Sequence, residues 1–303
     1  MRIDEKRILI TGASGFTGIH AVNSAARMGM QVTCISRKPI PHPFSKNISC
    51  DLTKYSEIDK TVKEIKPDYV LHLAGFNNAN RSWESPLQCM ESNVLGTLNL
   101  LESIRNHVPA SRTLIVGSAL QYSLCQNERP PHPYSLSKTF QVLLSKEWKT
   151  LFSMDIALAK PTNLIGPGNS AGICAKVAQK IVAAEQQEEA VHVHLHNSKA
   201  QCDFVDVRDT VDAYMLILTS KCKIDQFDIG SGHSRTLEEL MSHFAKATPQ
   251  RLQFTKDHSI ESPPIKIEIE TIRSLGWRPK YTLQNSLEDT IAFYKSKNNN
   301  CRK

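Results

Sequence analysis

Eight cysteines, Cys34, Cys50, Cys89, Cys125, Cys174, Cys202, Cys222 and Cys301, are spread over 303 residues without a single Cys-x-x-Cys pair. Zinc ribbons need close pairs, and disulfide frameworks belong to small secreted chains, so reduced thiols are expected. There is no run of 18 apolar residues, and the opening MRIDEKRILITG passes from charge into a strand with no apolar signal core. No membrane association is expected, and the expected compartment is the cytoplasm. Charge of one sign is not dominant: 37 Lys and Arg against 30 Asp and Glu leave +7. So mild and scattered an excess suits an anionic small molecule and excludes a nucleic-acid surface. Repeats and low-complexity tracts are lacking too. With 40% apolar and 22% charged residues, disorder is excluded as the main state. The length accommodates about two domains.

What is present is alternation. RILIT at 7–11 reads as a strand, followed by a Gly-rich turn and a helix over about 17–28. QVTCIS at 31–36 is a second strand, and a third precedes Asp51. A helix follows over about 55–65, then a strand at 68–73, a helix near 89–106 and a strand at 112–117. A helix from Tyr134 to about Leu151 and a strand at 155–159 complete the series. Strict alternation predicts an α/β chain, a Rossmann-type doubly wound parallel sheet with helices on both faces. Pro161 to Gly172 reads as loop, before a helix near 173–185 and an alternating strand at 191–196. The expected division is a nucleotide-binding domain over 1–160 with about 200–230, and a smaller C-terminal α/β substrate domain over about 161–199 and 231–303.

TGASGFTG at 11–18 is a G-x-x-G-x-x-G turn between strand and helix. Gly12 permits the tight turn, Gly15 lets backbone approach a pyrophosphate, and Gly18 lets helix and strand pack. The helix N-terminus at Ser14, Phe16 and Thr17 offers N–H groups to phosphate. About 20 residues on, an acid would select NAD(H) through the ribose 2′-hydroxyl, whereas cations suit a 2′-phosphate. The second strand ends in Ser36-Arg37-Lys38. The expected cofactor is NADP(H) over NAD(H).

Tyr134 and Lys138 share one helix face at a spacing of four. With seven Tyr and 23 Lys, about half an occurrence of that spacing arises by chance. The position, after a strand ending VGSALQY at 116–122, gives it meaning, because ligands sit at the carboxyl edge of such sheets. A ketone accepting hydride develops alkoxide charge and needs a proton donor beside it. A phenol near pH 10 is brought down by a neighbouring ammonium.

Together these motifs resemble the extended short-chain dehydrogenase/reductases of the nucleotide-sugar epimerase, dehydratase and reductase group. The resemblance includes TGASGFTG, Asp51-Leu52, HLAG at 72–75, NVLGT at 93–97, Ser118, Tyr134 with Lys138, and KPTNLIGPG at 160–168. DFVDVRD at 203–209 and LGWRP at 275–279 carry it further. SWESP at 82–86, GPGNSAG at 166–172 and DFVDVRDTVDAY at 203–214 are most like the GDP-4-keto-6-deoxy-mannose reductases. The resemblance implies Tyr134 as general acid/base, Lys138 as its tuning cation and ribose ligand, and Ser118 on the carbonyl oxygen. It also implies cofactor contacts from Asp51, Leu52, Leu73, Ala74, Gly75, Asn93 and Pro161. Asn163 is the implied diphosphate ligand. Asn77, Asn78 and Arg81 read either as sugar contacts or as structural turn residues.

Dehydratases of the group carry a carboxylate just after the catalytic hydroxyl, where Ala119-Leu120-Gln121 stand here. Epimerases typically carry the acid after the second strand. An NADPH-dependent reduction of a nucleotide-linked 4-keto-6-deoxy sugar, in surface polysaccharide precursor synthesis, is the reading left. An NAD-dependent epimerase and a non-catalytic NADP-binding sensor or scaffold are the alternatives. Two departures stand out. The Arg expected before Asp-Phe is Cys202, and the later R-P-x-(D/E) segment is replaced by Glu261-Ser262-Pro263-Pro264. Either Lys176, Lys199, Arg208 or Lys266 compensates, or the substrate lacks a diphosphate. The short Pro-rich stretch between Tyr122 and Tyr134 either opens the pocket or makes a tighter turn. The resemblance implies a homodimer whose four-helix interface is formed by the helices at about 89–106 and 135–151; both are Leu-rich, which fits, and core packing explains this nearly as well. His192, His194 and His196 share one strand face about 6.6 Å apart. With no carboxylate or Cys beside them in sequence, they read as a polar face, and no metal is expected.

Overall fold

The computed structural model describes residues 5–38, 42–122, 129–187, 190–257, 261 and 266–300. Residues 123–128 of the Pro-rich stretch, and Ser262, Pro263 and Pro264, therefore lie outside the described residues. From the amino end run β1 (Arg7–Thr11), α1 (Phe16–Arg27), β2 (Gln31–Ser36), β3 (Ser45–Ser49), α2 (Tyr55–Ile65) and β4 (Tyr69–His72). Short helices α3 (Arg81–Glu84) and α4 (Pro86–Met90) lead through a π-helical turn (Glu91–Leu95) into α5 (Gly96–His107). Next come β5 (Arg112–Val116), α6 (Pro133–Phe152), β6 (Ile156–Pro161), β7 (Asn163–Ile165), α7 (Ile173–Gln187) and β8 (Val191–Leu195). The rest is β9 (Gln201–Asp206), α8 (Val207–Thr219), β10 (Gln226–Ile229), β11 (Ser234–Thr236) and α9 (Leu237–Ala247). β12 (Leu252–Lys256), α10 (Glu270–Ser274) and α11 (Leu283–Asn300) close the chain.

Two compact units result, Met1–Pro161 with Val211–Phe227, and Thr162–Thr210 with Asp228–Lys303. The segment returning to the first unit is shorter than the expected 200–230. The reason is β9, which pairs with β7 and β11 inside the second unit.

The first unit holds a seven-stranded sheet in the order β3-β2-β1-β4-β5-β6-β10. The five pairings from β3 through to β6 are parallel. β1 pairs with both β2 and β4, so the strand order reverses at its carboxyl end, which is where such sheets bind ligands. Apolar runs explain the burial: Ile8, Leu9, Ile10, Val70, Leu71, Leu114 and Ile115 are buried between helix layers. In α2, Ile58, Thr61, Val62 and Ile65 make an i, i+3, i+4, i+7 stripe that packs against this core. Each such aliphatic side chain contributes about 1.5–3 kcal/mol on burial.

In the second unit, β9 lies between β7, parallel, and β11, antiparallel. A separate parallel pair joins β8 to β12. Val191, Val193 and Leu195 point from β8 into a core with Ala178, Ile181, Phe204, Phe244, Leu287 and Ile291. The intervening histidines are exposed, as period-2 alternation requires. β7 lies within the stretch that reads as loop, a three-residue strand too short for a pattern to reveal. Among the described residues, no helix is long and apolar enough to cross a membrane.

Candidate active site

The carboxyl ends of β1, β2, β4 and β5 bring the sequence motifs of the first unit to one edge. Gly12 follows β1 with φ +68°, and a Cβ there would lie 2.7 Å from the backbone nitrogen of Ala74, past β4. Only glycine tolerates both the dihedral and the approach. A Cβ on Gly18 would overlap the carbonyl oxygens of Gly12 and Ala13. Helix α1 begins after Gly15 with no side-chain cap and no acidic residue in its first turn. Its positive end is thus suited to phosphate. Ser14, Phe16 and Thr17 are half-buried at this turn.

Past β2, Arg37 and Lys38 are exposed, and among the described residues neither forms an ion pair. Ser36 Oγ donates to the carbonyl of Lys38 at 3.0 Å, shaping the turn. Asp51 accepts from the backbone nitrogen and hydroxyl of Thr53, and the first of these leads in holding its carboxyl below the usual value. Arg37 is among the cations that act on it. These residues fit a pyrophosphate and a cation-seeking ribose phosphate.

The other residues expected at the cofactor also carry bonds and packing of their own. Leu52 is buried in the core against α5. Leu73 hydrogen-bonds through its backbone to Thr11, and Ala74 packs at the core's edge. Gly75 is exposed and faces the Asn93 side chain. Asn93, on the π-helical turn, is fully buried, accepts from Phe76 N at 2.7 Å and donates to Ser137 Oγ at 2.8 Å. Its amide is consumed by these bonds, so it shapes the site without reaching its surface. The carbonyl of Pro161 accepts from Ala119 N at 2.9 Å, beside Ser118.

Tyr134 opens α6, whose N-cap is His132: the ring Nδ1 accepts from Ser135 N at 2.9 Å. The Tyr134 ring lies 5.8 Å from that imidazole. Only 7% exposed, its phenol is pushed up by burial, an effect that the Ser118 hydroxyl opposes. The expected downward pull of an ammonium does not prevail. Lys138 is buried, and its Nζ donates to Val116 O at 3.0 Å and Gln141 Oε1 at 2.8 Å. Burial lowers Lys138 to about 8. Thus the phenol is a protonated donor at neutral pH.

A buried chain that sequence patterns do not reveal extends from Lys138. Gln141 Nε2 donates to Thr97 Oγ1 at 2.8 Å, whose own proton goes to Asn93 O at 2.7 Å. Thr97 must then accept from His72 Nε2, 2.9 Å away, which fixes the Nε2–H tautomer. The His72 Nδ1 accepts from Thr11 Oγ1 at 2.8 Å, and Thr11 accepts from Ala74 N at 3.1 Å. Burial holds His72 neutral, with its pKa down to about 3. The cation and the glycine turn therefore share one hydrogen-bonded core.

Asn78 Oδ1 accepts from Arg81 N at 3.0 Å, a structural start for α3, while Asn77 and Arg81 are exposed. In the second unit, Asn163 Nδ2 donates to Asp203 O at 3.0 Å, and Lys176 and Lys199 are exposed. Lys266 is exposed and pairs with Glu268. Arg208, expected as a substrate cation, is instead clasped by Asp206 at 2.8 Å and Asp289 at 2.7 Å and lies 3.6 Å over the Tyr281 ring. Cys202 sits at the fringe of the second core, and the register sets Arg235 of β11 directly opposite it. A guanidinium therefore stands across the ladder from the position that lacks one. Two of the three histidines are accompanied after all, because Asp257 past β12 reaches His194 and His196.

The sheet order, the glycine turn and the Ser118–Tyr134–Lys138 group define a Rossmann-type short-chain dehydrogenase/reductase. The chain belongs to the NAD dependent epimerase/dehydratase family, which it matches over residues 8–230. It is 25% identical to GDP-6-deoxy-D-mannose reductase of Pseudomonas aeruginosa, over 96% of this chain and 98% of that protein. UDP-glucose 4-epimerase of Mycolicibacterium smegmatis is 24% identical, over 96% of this chain and 99% of that one. Among solved structures, RMD from Pseudomonas aeruginosa complexed with NADPH aligns with a TM-score of 0.82 at 25% identity, covering 97% of this chain and 100% of that one. Thermus thermophilus UDP-glucose 4-epimerase in complex with NAD shares the fold, with a TM-score of 0.80 at 22% identity over 95% and 99% of the two chains.

Proposed function

We propose that the protein is an NADPH-dependent reductase that converts a nucleotide-linked 4-keto-6-deoxy sugar to its 4-hydroxy form. The observation that carries this reading is the buried Tyr134 phenol on α6, one helical turn from the buried ammonium of Lys138, with no carboxylate in Ala119-Leu120-Gln121. An elimination has no acid–base pair here, whereas a reduction needs one proton donor. The exposed Arg37 and Lys38 past β2 support NADP(H), and the likeness to a GDP-6-deoxy-D-mannose reductase supports the substrate class.

NADPH, when bound, supplies the hydride. The Gly12–Gly18 turn and the start of α1 bind its pyrophosphate, and Arg37 and Lys38 neutralise the 2′-phosphate. Ser118 orients the ketone oxygen, and Tyr134 gives its proton to the oxygen as charge develops there. Lys138, positioned by Val116 and Gln141, holds positive charge one helical turn along. A homodimer accords with exposed Leu95 on the π-helical turn and Phe140 and Leu143 on α6, and work in the cytoplasm on surface polysaccharide precursors accords with the substrate.

The test supplies UDP-, GDP- and dTDP-4-keto-6-deoxyhexoses with NADPH and follows its absorbance. Turnover with one of them, lost in Tyr134→Phe, is expected. Cofactor binding without oxidation by any of these ketones overturns the proposal. The epimerase reading rests on the 4-epimerases among the relatives. Stoichiometric NAD retained on purification, with interconversion of two sugars and no net oxidation, would favour it.

A further inference from the structure

The geometry points to a divalent transition-metal site on the second unit, formed by His194, His196 and Asp257 and independent of the reductase chemistry. His194 and His196 are two apart at the end of β8, so both rings leave the same exposed face. The parallel register of β8 with β12 sets Thr255 opposite His194, and Asp257 N donates to Leu195 O at 3.2 Å. That pairing delivers the carboxylate. Asp257 Oδ2 lies 3.3 Å from His194 Nε2 and 3.2 Å from His196 Nδ1, and one ligand atom from each of the three residues falls within 4.8 Å of the others.

The two carboxylate–imidazole separations match a metal site, and the exposed rings can turn to bring the imidazole nitrogens to the same spacing. With bonds of about 2.0–2.1 Å to nitrogen and oxygen, the edge of a tetrahedron around zinc is roughly 3.3 Å. The imidazoles are crossed, with planes at 86° and centroids 4.8 Å apart, so one ring does not cover the other's nitrogen. His194 is also oriented. Its Nδ1 lies 3.0 Å from Thr255 Oγ1, which can accept an Nδ1–H and so free the Nε2 lone pair for a metal. Side-chain exposures of 46%, 89% and 53% leave the remaining coordination position to water. Two imidazoles and one carboxylate, with no thiolate, select a borderline ion such as Zn²⁺, Co²⁺ or Ni²⁺ over Ca²⁺ or Mg²⁺. His192, on the same face, is not among the three. The ion would bridge segments 61 residues apart, His196 to Asp257, and so staple β12 to β8.

The experiment uses full-length protein freed of any affinity tag and treated with chelator. Zn²⁺ is titrated by calorimetry, Co²⁺ by visible absorption, and melting is followed with and without Zn²⁺. One Zn²⁺ is expected to bind, with affinity lowered at least tenfold in His194→Ala, in His196→Ala and in Asp257→Asn. Melting should rise with Zn²⁺ in the unmutated chain and stay still in the double histidine variant. Co²⁺ should give d–d bands without thiolate charge transfer. The site is overturned if binding persists unchanged in the double variant, if thiolate bands appear, or if millimolar Zn²⁺ leaves both heat and melting unmoved. All three side chains are exposed, so the variants retain the fold, which circular dichroism verifies.

Discussion

The ammonium of Lys138 and the side-chain oxygen of Gln141 meet at 2.8 Å within α6, and Gln141 is itself fixed by Thr97. A flexible four-carbon stem is thereby held by a residue with no freedom of its own. Gln141→Leu keeps the volume and removes the acceptor, leaving Lys138 with Val116 O alone. Turnover with the 4-keto sugar should fall about tenfold or more while NADPH affinity changes little. Gln141→Glu places a carboxylate beside the ammonium, and should move the basic side of the pH–rate profile upward. Unchanged turnover and profile in both variants would remove Gln141 from any positioning role.

Burial of Lys138 also makes stability depend on pH. Its pKa in the folded chain is lowered from 10.5 to about 8. Between those values the unfolded chain holds more protons than the folded one, so stability rises with pH across the window. Below about 8 both states carry the proton, and the full cost of the buried charge applies. Lys138→Met lacks this term. Denaturant titrations from pH 7 to 10.5 should show the wild type gaining on the variant by up to about 1.4 kcal/mol per pH unit above 8. Tyr134, pushed up in both proteins, acts in the opposite sense above 10 and cancels in the difference. A flat difference would mean that the ammonium is solvated.

Local chemistry made the nucleotide-binding half legible. Gly12, with its positive φ and its neighbour Ala74 at 2.7 Å, is a backbone requirement that the glycine spacing announces directly. Tyr134 and Lys138 at a spacing of four were readable because a helix fixes which side chains share a face. Their electrostatics were not, since a pKa depends on burial, and burial belongs to the folded molecule. Gln141, Thr97 and His72 look like ordinary helix and strand residues until the fold brings them together. Asp257 was hidden for a related reason: it lies 61 residues from His196 and joins it only through the β8–β12 register. Arg208 shows the reverse, a cation whose partners Asp289 and Tyr281 no motif exposes.

Arg37 and Lys38 test the cofactor assignment without touching the reaction. Both are exposed past β2, so replacement leaves the core intact. In the doubly substituted Arg37→Asp, Lys38→Asp protein, a 2′-phosphate meets repulsion where it met attraction. KM for NADPH should rise roughly tenfold to a hundredfold, and KM for NADH should hold or fall. Steady-state kinetics with each nucleotide read this out. Equal effects on the two would place the 2′-phosphate elsewhere.

Arg208 and Arg235 separate a cation that holds the fold from one available to a ligand. Asp206 is 2% exposed and accepts from Arg208 N, Nε and Nη2 and from Ser286 Oγ. Removing the guanidinium in Arg208→Met leaves that carboxylate underpaired in the interior, a loss of roughly 3–5 kcal/mol that chemical denaturation measures. Arg235 is half-buried, faces Cys202 across the ladder, and bonds only the carbonyl of His233 among the described residues. Arg235→Ala should therefore cost little stability. If the cation missing at Cys202 is supplied from β11, KM for the diphosphate-linked sugar should rise about tenfold, with kcat nearly unchanged, as for lost binding common to ground and transition states. The double variant Arg235→Ala, Cys202→Arg moves the charge back across the ladder and should recover most of that affinity. Recovery would establish that the site needs a guanidinium on this face and not at one particular position; an unaltered KM in Arg235→Ala would exclude Arg235 as a diphosphate ligand.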